Sequence, residues 1–328
     1  MPGGADTLGV TMTQTIQPVD PASLIAPARV KIPPFNTWVG PVTHLAQERI
    51  RLQGCSYEGF TVSQVGSTIG GVVSGLDLTK PLADDHVAEL RRALLDFKVL
   101  FFRNQPVTPE QHVAFARRFG VLEVHPFIPS NTGQPELVRF EKEAQVGGFE
   151  NGWHSDVSWR EVPSAAAVLH GILIPPVGGD TSFSDMYAAY DGLNDELKEQ
   201  IDGLVAVHDY TKAFGHAVDE SAKAEMRLKF PPVEHPVVRT HGETGRKLLY
   251  VNRYFTDSIV GMGVDEGNAL IDLLASQAEV PEYQCRFRWE QDSIAFWDNR
   301  ACQHLALSDY WPEHRIMERA SICGERPK

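Results

Sequence analysis

Short apolar runs separated by glycine- and proline-containing turns recur along this sequence, and they limit the folds open to it. Segment 60–78 (FTVSQVGSTIGGVVSGLDL) alternates short β-like runs with glycines, while KVLFFR (98–103) and SIAFWD (293–298) are almost continuously apolar. Apolar runs of about four to eight residues bounded by turn signals are typical of buried strands. THGETGRKLLYVN (240–252) has the composition of a β-hairpin. The pattern predicts a mainly β fold.

Four segments have the periodicity or the end signals of helices: 83–97, 108–119, 186–202 and 265–277. The first begins with two aspartates, and the second begins with Thr108 followed by a proline, which is a common helix start. The sequence contains no P-loop and no GxGxxG nucleotide motif. Interrupted β runs with a few helices therefore predict a β-sandwich or jelly-roll core with helical inserts.

Composition and charge restrict the partners and the compartment. The chain has 328 residues, 42% hydrophobic and 22% charged, so it can bury a large core. A formal net charge of −13 argues against nucleic acid or an anionic membrane as the main partner. Four scattered cysteines, and no signal-peptide or membrane-spanning pattern, predict a cytoplasmic protein. Residues 1–55 are expected to form a partly ordered extension of a single domain over 56–328.

Two histidines and one aspartate form the candidate chemical centre. His154 and Asp156 lie two residues apart in NGWHSDVSW (151–159). In an extended strand, such residues project from the same face about 6–7 Å apart. His304, far along the chain, can supply a second imidazole from a neighbouring strand. Two histidines and one carboxylate on one face of a metal ion leave positions open for a cosubstrate and dioxygen, as in non-haem Fe(II) oxygenases.

These donors do not by themselves select iron. The same three groups suit a zinc or other divalent-metal hydrolase, and a jelly-roll protein can also bind a ligand without catalysis. The HExxH motif of zinc proteases and the GxSxG motif of serine hydrolases are missing from the sequence.

Two segments, WHSDVSW and WDNRACQHLALSDYWPEHRIMERASICG, resemble the taurine dioxygenase / TfdA family of Fe(II)- and 2-oxoglutarate-dependent dioxygenases, and the resemblance extends from about Val62 to the end of the chain. It implies a double-stranded β-helix (jelly roll) with helical inserts, and a homodimer or homotetramer. The implied reaction hydroxylates a small anionic substrate, such as taurine, another alkylsulfonate or an alkyl sulfate, next to its heteroatom. It releases sulfite or a related anion and an aldehyde, and it converts 2-oxoglutarate and O2 to succinate and CO2.

The resemblance also implies roles for individual residues. His154, Asp156 and His304 match the iron ligands. Arg315, eleven residues after His304, matches with Thr181 in GGDTSF the pair that holds the distal carboxylate of 2-oxoglutarate. This implied role favours the oxygenase over a hydrolase, because a guanidinium group clamps a carboxylate and a hydrolase needs no such clamp. The residues that match substrate contacts are Arg319 and His125, which face a sulfonate in the family, and Phe214 and Phe255, which are aromatic walls of the pocket.

Two positions depart from the taurine enzyme of the family. Where that enzyme has an asparagine and a tyrosine near the substrate amine, this sequence has Glu150 and Ile128. The end of the pocket that binds the anion is therefore kept, and the opposite end is changed. We expect a preference for alkylsulfonates or alkyl sulfates that is broader or more apolar than strict use of taurine.

Overall fold

The computed structural model describes residues 30–32, 37–125, 133–144, 152–215 and 218–328. Within these ranges strands predominate, which confirms the mainly β fold. The strands are β1 (Val30–Ile32), β2 (Thr37–Val39), β3 (Thr61–Gln64), β4 (Gly71–Ser74), β5 (Val99–Phe102), β6 (Leu137–Lys142), β7 (Ala166–Leu173), β8 (Thr181–Asp185), β9 (Val205–His208), β10 (Val233–Pro236), β11 (Val238–Thr240), β12 (Lys247–Leu249), β13 (Thr256–Ile259), β14 (Gln284–Phe287), β15 (Ile294–Asp298), β16 (Cys302–Ala306) and β17 (Arg315–Ile322). The helices are α1 (Leu45–Gln53), α2 (Asp84–Phe97), α3 (Pro109–Arg117), α4 (Met186–Asp191), α5 (Asp195–Ile201), α6 (Tyr210–Phe214), α7 (Glu220–Lys229) and α8 (Val264–Ala275).

Two sheets packed face to face form the centre of the molecule. The larger has seven strands in the order β3-β4-β5-β15-β7-β17-β6, and the smaller has three in the order β14-β8-β16. All of their strand pairs are antiparallel except β4 with β5. Phe101 of β5 packs edge-on against Phe183 of β8, inside a buried cluster that both sheets share. This arrangement is the jelly-roll sandwich that the sequence predicts.

The sequence of strand β5 is a continuous apolar run because both faces of the strand are buried. Val99 and Phe101 pack into the cluster between the sheets, whereas Leu100 and Phe102 pack into a second cluster under helices α2 and α3. Successive side chains of a strand point to opposite faces, so a strand covered on both sides must be apolar throughout. The helices of the N-terminal half thus cover the outer face of the larger sheet.

The predicted helices are found with one correction. The second begins as expected, because the Thr108 side chain accepts a hydrogen bond from the Gln111 N–H and the Gln111 side chain accepts one in return. The single helix predicted over 186–202 is wrong, since Gly192 ends α4 and Asn194 caps a separate helix, α5. Within the described residues, no helix combines the length and the apolar character that crossing a bilayer requires.

Part of the predicted N-terminal extension packs on the domain. Leu52 of α1 is buried in the cluster under α2. Glu48 of α1 accepts a hydrogen bond from the buried Lys98, with an Nζ–Oε1 distance of 2.8 Å, and Lys98 Nζ also donates to the Thr68 carbonyl oxygen at 2.8 Å. Helix α1 is therefore tied to the body of the protein, while the partly ordered extension over 1–55 stays a prediction.

Two buried histidines predict how stability changes with pH. Burial lowers the pKa of His112 and of His208 to about 3. An unfolded histidine titrates near pH 6.5, so below that pH the unfolded chain binds protons that the native state does not. We expect the free energy of unfolding to decrease as pH falls from about 6.5 to 4, by at most about 1.4 kcal/mol per pH unit for each histidine.

Urea denaturation at a series of pH values measures this effect. The variant His112→Gln is expected to show a shallower decrease than the wild type over the same range. His314→Gln, at a partly exposed histidine that bonds Glu141, is the matched control and should keep the wild-type slope. An unchanged slope in His112→Gln would contradict the assignment.

Candidate metal centre and active site

The two candidate histidine ligands meet through backbone hydrogen bonds. His304 lies in β16, and His154 forms an isolated bridge with it in which each N–H donates to the other carbonyl oxygen, at 3.2 and 2.9 Å. Their ring centroids are 4.3 Å apart. Pairing of this kind between distant segments is what brings the two imidazoles to one place.

Asp156 reaches the histidines from a turn, so the expectation that His154 and Asp156 share an extended strand is wrong. The chain leaves the extended conformation after His154, and Val157 has a φ of 49°. The carboxylate nevertheless faces both rings, with Asp156 Oδ1 3.7 Å from His154 Nε2 and 3.9 Å from His304 Nε2. Each of the three residues offers a ligand atom, and all of these atoms lie within 4.8 Å of one another.

The donors fit a divalent metal ion. Asp156 Oδ2 is buried and has no hydrogen-bond partner among the described residues, a costly state that coordination would relieve. His154 Nδ1 lies 2.7 Å from the Gly152 carbonyl oxygen. Since a carbonyl only accepts, Nδ1 carries the proton, and the lone pair of Nε2 is left for a metal. Two imidazoles and one carboxylate are the donor set of a facial triad.

Charges in the centre favour the protonation states that bind metal. Burial alone would raise the pKa of the Asp156 carboxyl, but the charge of Arg319, with both histidines, holds it well below its usual range. Burial, reinforced by the neighbouring His154, lowers the pKa of His304 to about 3. At neutral pH the carboxylate is therefore ionised and the His304 imidazole is neutral, which is the form that coordinates.

A cavity of about 410 Å³ opens beside the three candidate ligands. Strand β17 lines it with Arg315, Met317 and Arg319, because every second side chain of a strand lies on the same face. All nine predicted site residues border this cavity, while Glu150 and Ile128 lie outside the described residues. The nine are His125, His154, Asp156, Thr181, Phe214, Phe255, His304, Arg315 and Arg319.

Arg315 and Thr181 are both held in defined orientations. Arg315 is buried, and its Nη2 donates to the Gly179 carbonyl oxygen at 3.1 Å. Gly179 has a φ of 70°, and a Cβ there would lie 3.1 Å from Arg315 Nε, so the glycine leaves room for the guanidinium. Thr181 Oγ1 accepts from the Trp289 indole N–H at 2.9 Å. Because that bond uses a lone pair, the hydroxyl proton of Thr181 is left to donate to an anion.

Arg319 contacts the centre itself. Its Nη1 donates to Asp156 Oδ1 at 2.7 Å, and its guanidinium lies over the Phe140 ring, 5.1 Å from the centroid. Its Nε is buried without a hydrogen-bond partner in the described part of the chain. Burial and the charge of Arg319 lower the pKa of His125 to about 4, so this imidazole is neutral at pH 7. An anion entering the cavity would give Arg319 Nε the acceptor it lacks.

The sequence interpretation missed several lining residues. Lys142 of β6 stands directly opposite Arg315 of β17 in the strand register, which adds a third cationic side chain. No sequence signal identified Lys142, because its place depends on which strand β6 pairs with. Trp159 was visible beside the histidine–aspartate pair and could have been included. The other aromatic lining residues that were missed are Phe140, Phe183, Tyr210, Tyr254, Trp297 and Tyr310.

Comparisons with known proteins show the family of this chain. The model of the Taurine catabolism dioxygenase TauD, TfdA family matches residues 61–321. An alkylsulfatase of Acinetobacter baylyi is 34% identical over 266 residues, which cover 78% of this chain and 83% of the relative. An alpha-ketoglutarate-dependent 2,4-dichlorophenoxyacetate dioxygenase of Cupriavidus pinatubonensis is 36% identical over 271 residues, 77% of this chain and 94% of the relative.

A solved structure has a similar fold. The crystal structure of a taurine dioxygenase from Burkholderia xenovorans has a TM-score of 0.72 at 38% sequence identity, and the match covers 82% of this chain and 91% of that one. The span of the family match includes the three candidate ligands and both cavity arginines. The chain therefore belongs to the TauD, TfdA family of taurine catabolism dioxygenases.

Proposed function

We propose that this protein hydroxylates an alkylsulfonate or an alkyl sulfate at the carbon next to the heteroatom. The observation that carries the proposal is the charge of the cavity beside the candidate ligands. Among the described lining residues, Lys142, Arg315 and Arg319 are cationic and Asp156 is the single carboxylate. A cavity with this balance suits two anions at once, a cosubstrate and a substrate, in a protein whose net charge is −13.

Family membership makes the chain an alpha-ketoglutarate-dependent dioxygenase with Fe(II) and 2-oxoglutarate as cofactors. The hydrolase and the non-catalytic binding protein are therefore set aside. His154, Asp156 and His304 would hold the iron, which supplies the oxidising chemistry that converts 2-oxoglutarate and O2 to succinate and CO2. A homo-oligomeric state and a cytoplasmic location stay predictions from the sequence.

The protein's own contribution is to orient the two anions. Arg315 presents a planar guanidinium, and Thr181 a directed hydroxyl, for the distal carboxylate of 2-oxoglutarate. Arg319 Nε and the neutral His125 are placed to donate to the anionic head group of the substrate. Hydroxylation of the carbon next to this group gives an unstable product. Its C–O or C–S bond breaks to leave an aldehyde, with sulfate from a sulfate ester or sulfite from a sulfonate.

The aromatic lining favours one further candidate substrate class, the aryloxyalkanoates. Trp159, Tyr210 and Phe255 belong to one buried cluster at the cavity, and the rings of Tyr254 and Phe255 lie edge-on at a centroid distance of 5.0 Å. Such walls accept an aryl ring as readily as an alkyl chain. The carboxylate of an aryloxyalkanoate would then take the place of the sulfonate at Arg319.

A substrate panel tests the proposal. The full chain, loaded with Fe(II) and supplied with 2-oxoglutarate and O2, is assayed for succinate, sulfite and sulfate with taurine, short alkylsulfonates, alkyl sulfates and 2,4-dichlorophenoxyacetate. We expect kcat/KM for the best alkylsulfonate or alkyl sulfate to exceed that for taurine by about tenfold or more, about 1.4 kcal/mol in the transition state. The reason is that the described lining residues are largely aromatic, and their one carboxylate, Asp156, is a candidate metal ligand.

Three results would count against the proposed function. Taurine preferred by about a hundredfold, about 2.7 kcal/mol, would contradict the apolar preference. A preference for 2,4-dichlorophenoxyacetate would favour the aryloxyalkanoate candidate instead. Succinate formation that does not depend on added Fe(II) in a metal-free preparation would contradict the assigned chemistry.

A further inference from the structure

The candidate metal ligand Asp156 is followed by an unusual backbone conformation. Val157 has a φ of 49°, in the left-handed region that β-branched residues seldom adopt. It is buried and lines the cavity. Conformations of this kind persist only where the surrounding contacts hold them, so those contacts identify residues that shape the centre.

Asn299 makes the contacts on one side of this turn. Its Oδ1 accepts from the Asp156 N–H at 2.7 Å, and its Nδ2 donates to the carbonyl oxygens of Asp156 at 3.0 Å and of Ser164 at 2.9 Å. Asn299 as a whole is 1% exposed. It follows directly after β15, in the turn that leads into β16 and His304. The Asn299 amide thus fixes the N–H and the carbonyl oxygen of Asp156 relative to the segment that carries His304.

Ser158 is held on the other side of the turn. Its hydroxyl, fully buried, lies 3.0 Å from His208 Nδ1 and 3.3 Å from Asn252 Nδ2. Asn252 Oδ1 in turn accepts from the N–H of Phe255, an aromatic wall of the cavity, at 2.8 Å. The three residues 156–158 are therefore anchored at both ends by buried side chains.

We propose that Asn299 is a positioning residue of the metal centre, whose amide holds the turn at 156–158 so that the Asp156 carboxylate faces His154 and His304. The inference rests on the metal centre in the proposed function. Partners one shell beyond the ligands of a metal typically change its affinity by about 10- to 100-fold when they are lost. A residue that serves packing alone would change stability without changing the ligand geometry.

The variant Asn299→Asp separates the two roles. It keeps the size of the side chain and the acceptor for the Asp156 N–H, but it places an oxygen against the two carbonyl oxygens. Co(II) is titrated anaerobically into the metal-free full chain, with calorimetry for affinity and visible absorption for ligand geometry. We expect Co(II) affinity to fall by about 10- to 100-fold and the absorption bands of the bound ion to change.

Asn194→Asp is the matched control. It makes the same chemical change at an exposed asparagine that caps α5, a task that aspartate performs equally well, so affinity and spectrum should stay as in the wild type. If Asn299→Asp does not fold, as circular dichroism would show, Ser158→Ala releases the other end of the turn. We expect that variant to lower Co(II) affinity by about 10-fold, the lower end of the range for partners outside the ligands.

A folded Asn299→Asp protein with wild-type Co(II) affinity and spectrum would overturn the inference. So would a folded Ser158→Ala protein with wild-type affinity, where Asn299→Asp fails to fold. Co(II) binding is independent of turnover, so the inference can fail while the proposed reaction stands. If the wild type itself binds no Co(II), the assignment of the metal centre is wrong, and both this inference and the proposed function are contradicted.

Discussion

Succinate production from 2-oxoglutarate is expected to fall to the background of the assay when His154 or His304 is replaced by alanine. Each residue supplies one of the three candidate ligands among the described residues, so its removal should lower turnover by more than the roughly 10- to 100-fold that loss of an outer partner of a metal typically costs. His154→Ala also deletes a ring that the Gly152 carbonyl oxygen holds in place through Nδ1. The measurement is succinate formed at saturating Fe(II) and 2-oxoglutarate.

Both alanine variants are expected to keep the fold. The two imidazoles border the cavity, whereas the core consists of apolar clusters between the sheets and under the helices. The circular dichroism spectrum, and the melting temperature without metal, should therefore stay close to those of the wild type. His314→Ala, at a histidine that bonds Glu141 at the periphery, should keep normal turnover. Near-normal succinate production by either ligand variant would refute the assignment of the centre.

Arg315→Lys is expected to raise the KM for 2-oxoglutarate by about 10- to 150-fold, which corresponds to about 1.5–3 kcal/mol for a charge-assisted hydrogen bond. The guanidinium can donate two parallel bonds to a carboxylate while it keeps its bond to the Gly179 carbonyl oxygen. A lysine ammonium is a point charge and cannot reproduce both contacts. The experiment is steady-state kinetics with 2-oxoglutarate varied at saturating substrate, with anaerobic calorimetry as a measure of cosubstrate binding.

Arg319→Lys is the matched comparison on the same face of β17. It should raise the KM for the substrate and leave that for 2-oxoglutarate near the wild-type value. Because Arg319 also bonds Asp156 Oδ1, Co(II) affinity is measured alongside to separate an effect on the metal. If Arg315→Lys changed the KM for the substrate and not for 2-oxoglutarate, the roles given to the two arginines would have to be exchanged.

The site residues could be predicted because short motifs around them resemble those of the family, and parts of their arrangement are local. Arg315 and Arg319 are an even number of residues apart, and a strand places such residues on one face, so their shared direction needs only the strand itself. The apolar runs at β5 and β15 likewise require burial on both faces wherever the strands lie. The Thr108 helix start is equally local, since its hydrogen bonds join residues three apart.

The remaining parts of the site depend on contacts between segments that are distant in the sequence. Asp156 and Asn299 are 143 residues apart in the chain, and Lys142 meets Arg315 only because β6 pairs with β17 in one register. A valine seldom adopts the left-handed φ of Val157. Side chains distant in the sequence, such as Asn252, hold the turn in that conformation. Residue periodicity shows which face a side chain occupies within its own strand. Which strands pair depends on the packing of the whole chain. That pairing determines which residues of other segments lie against this face.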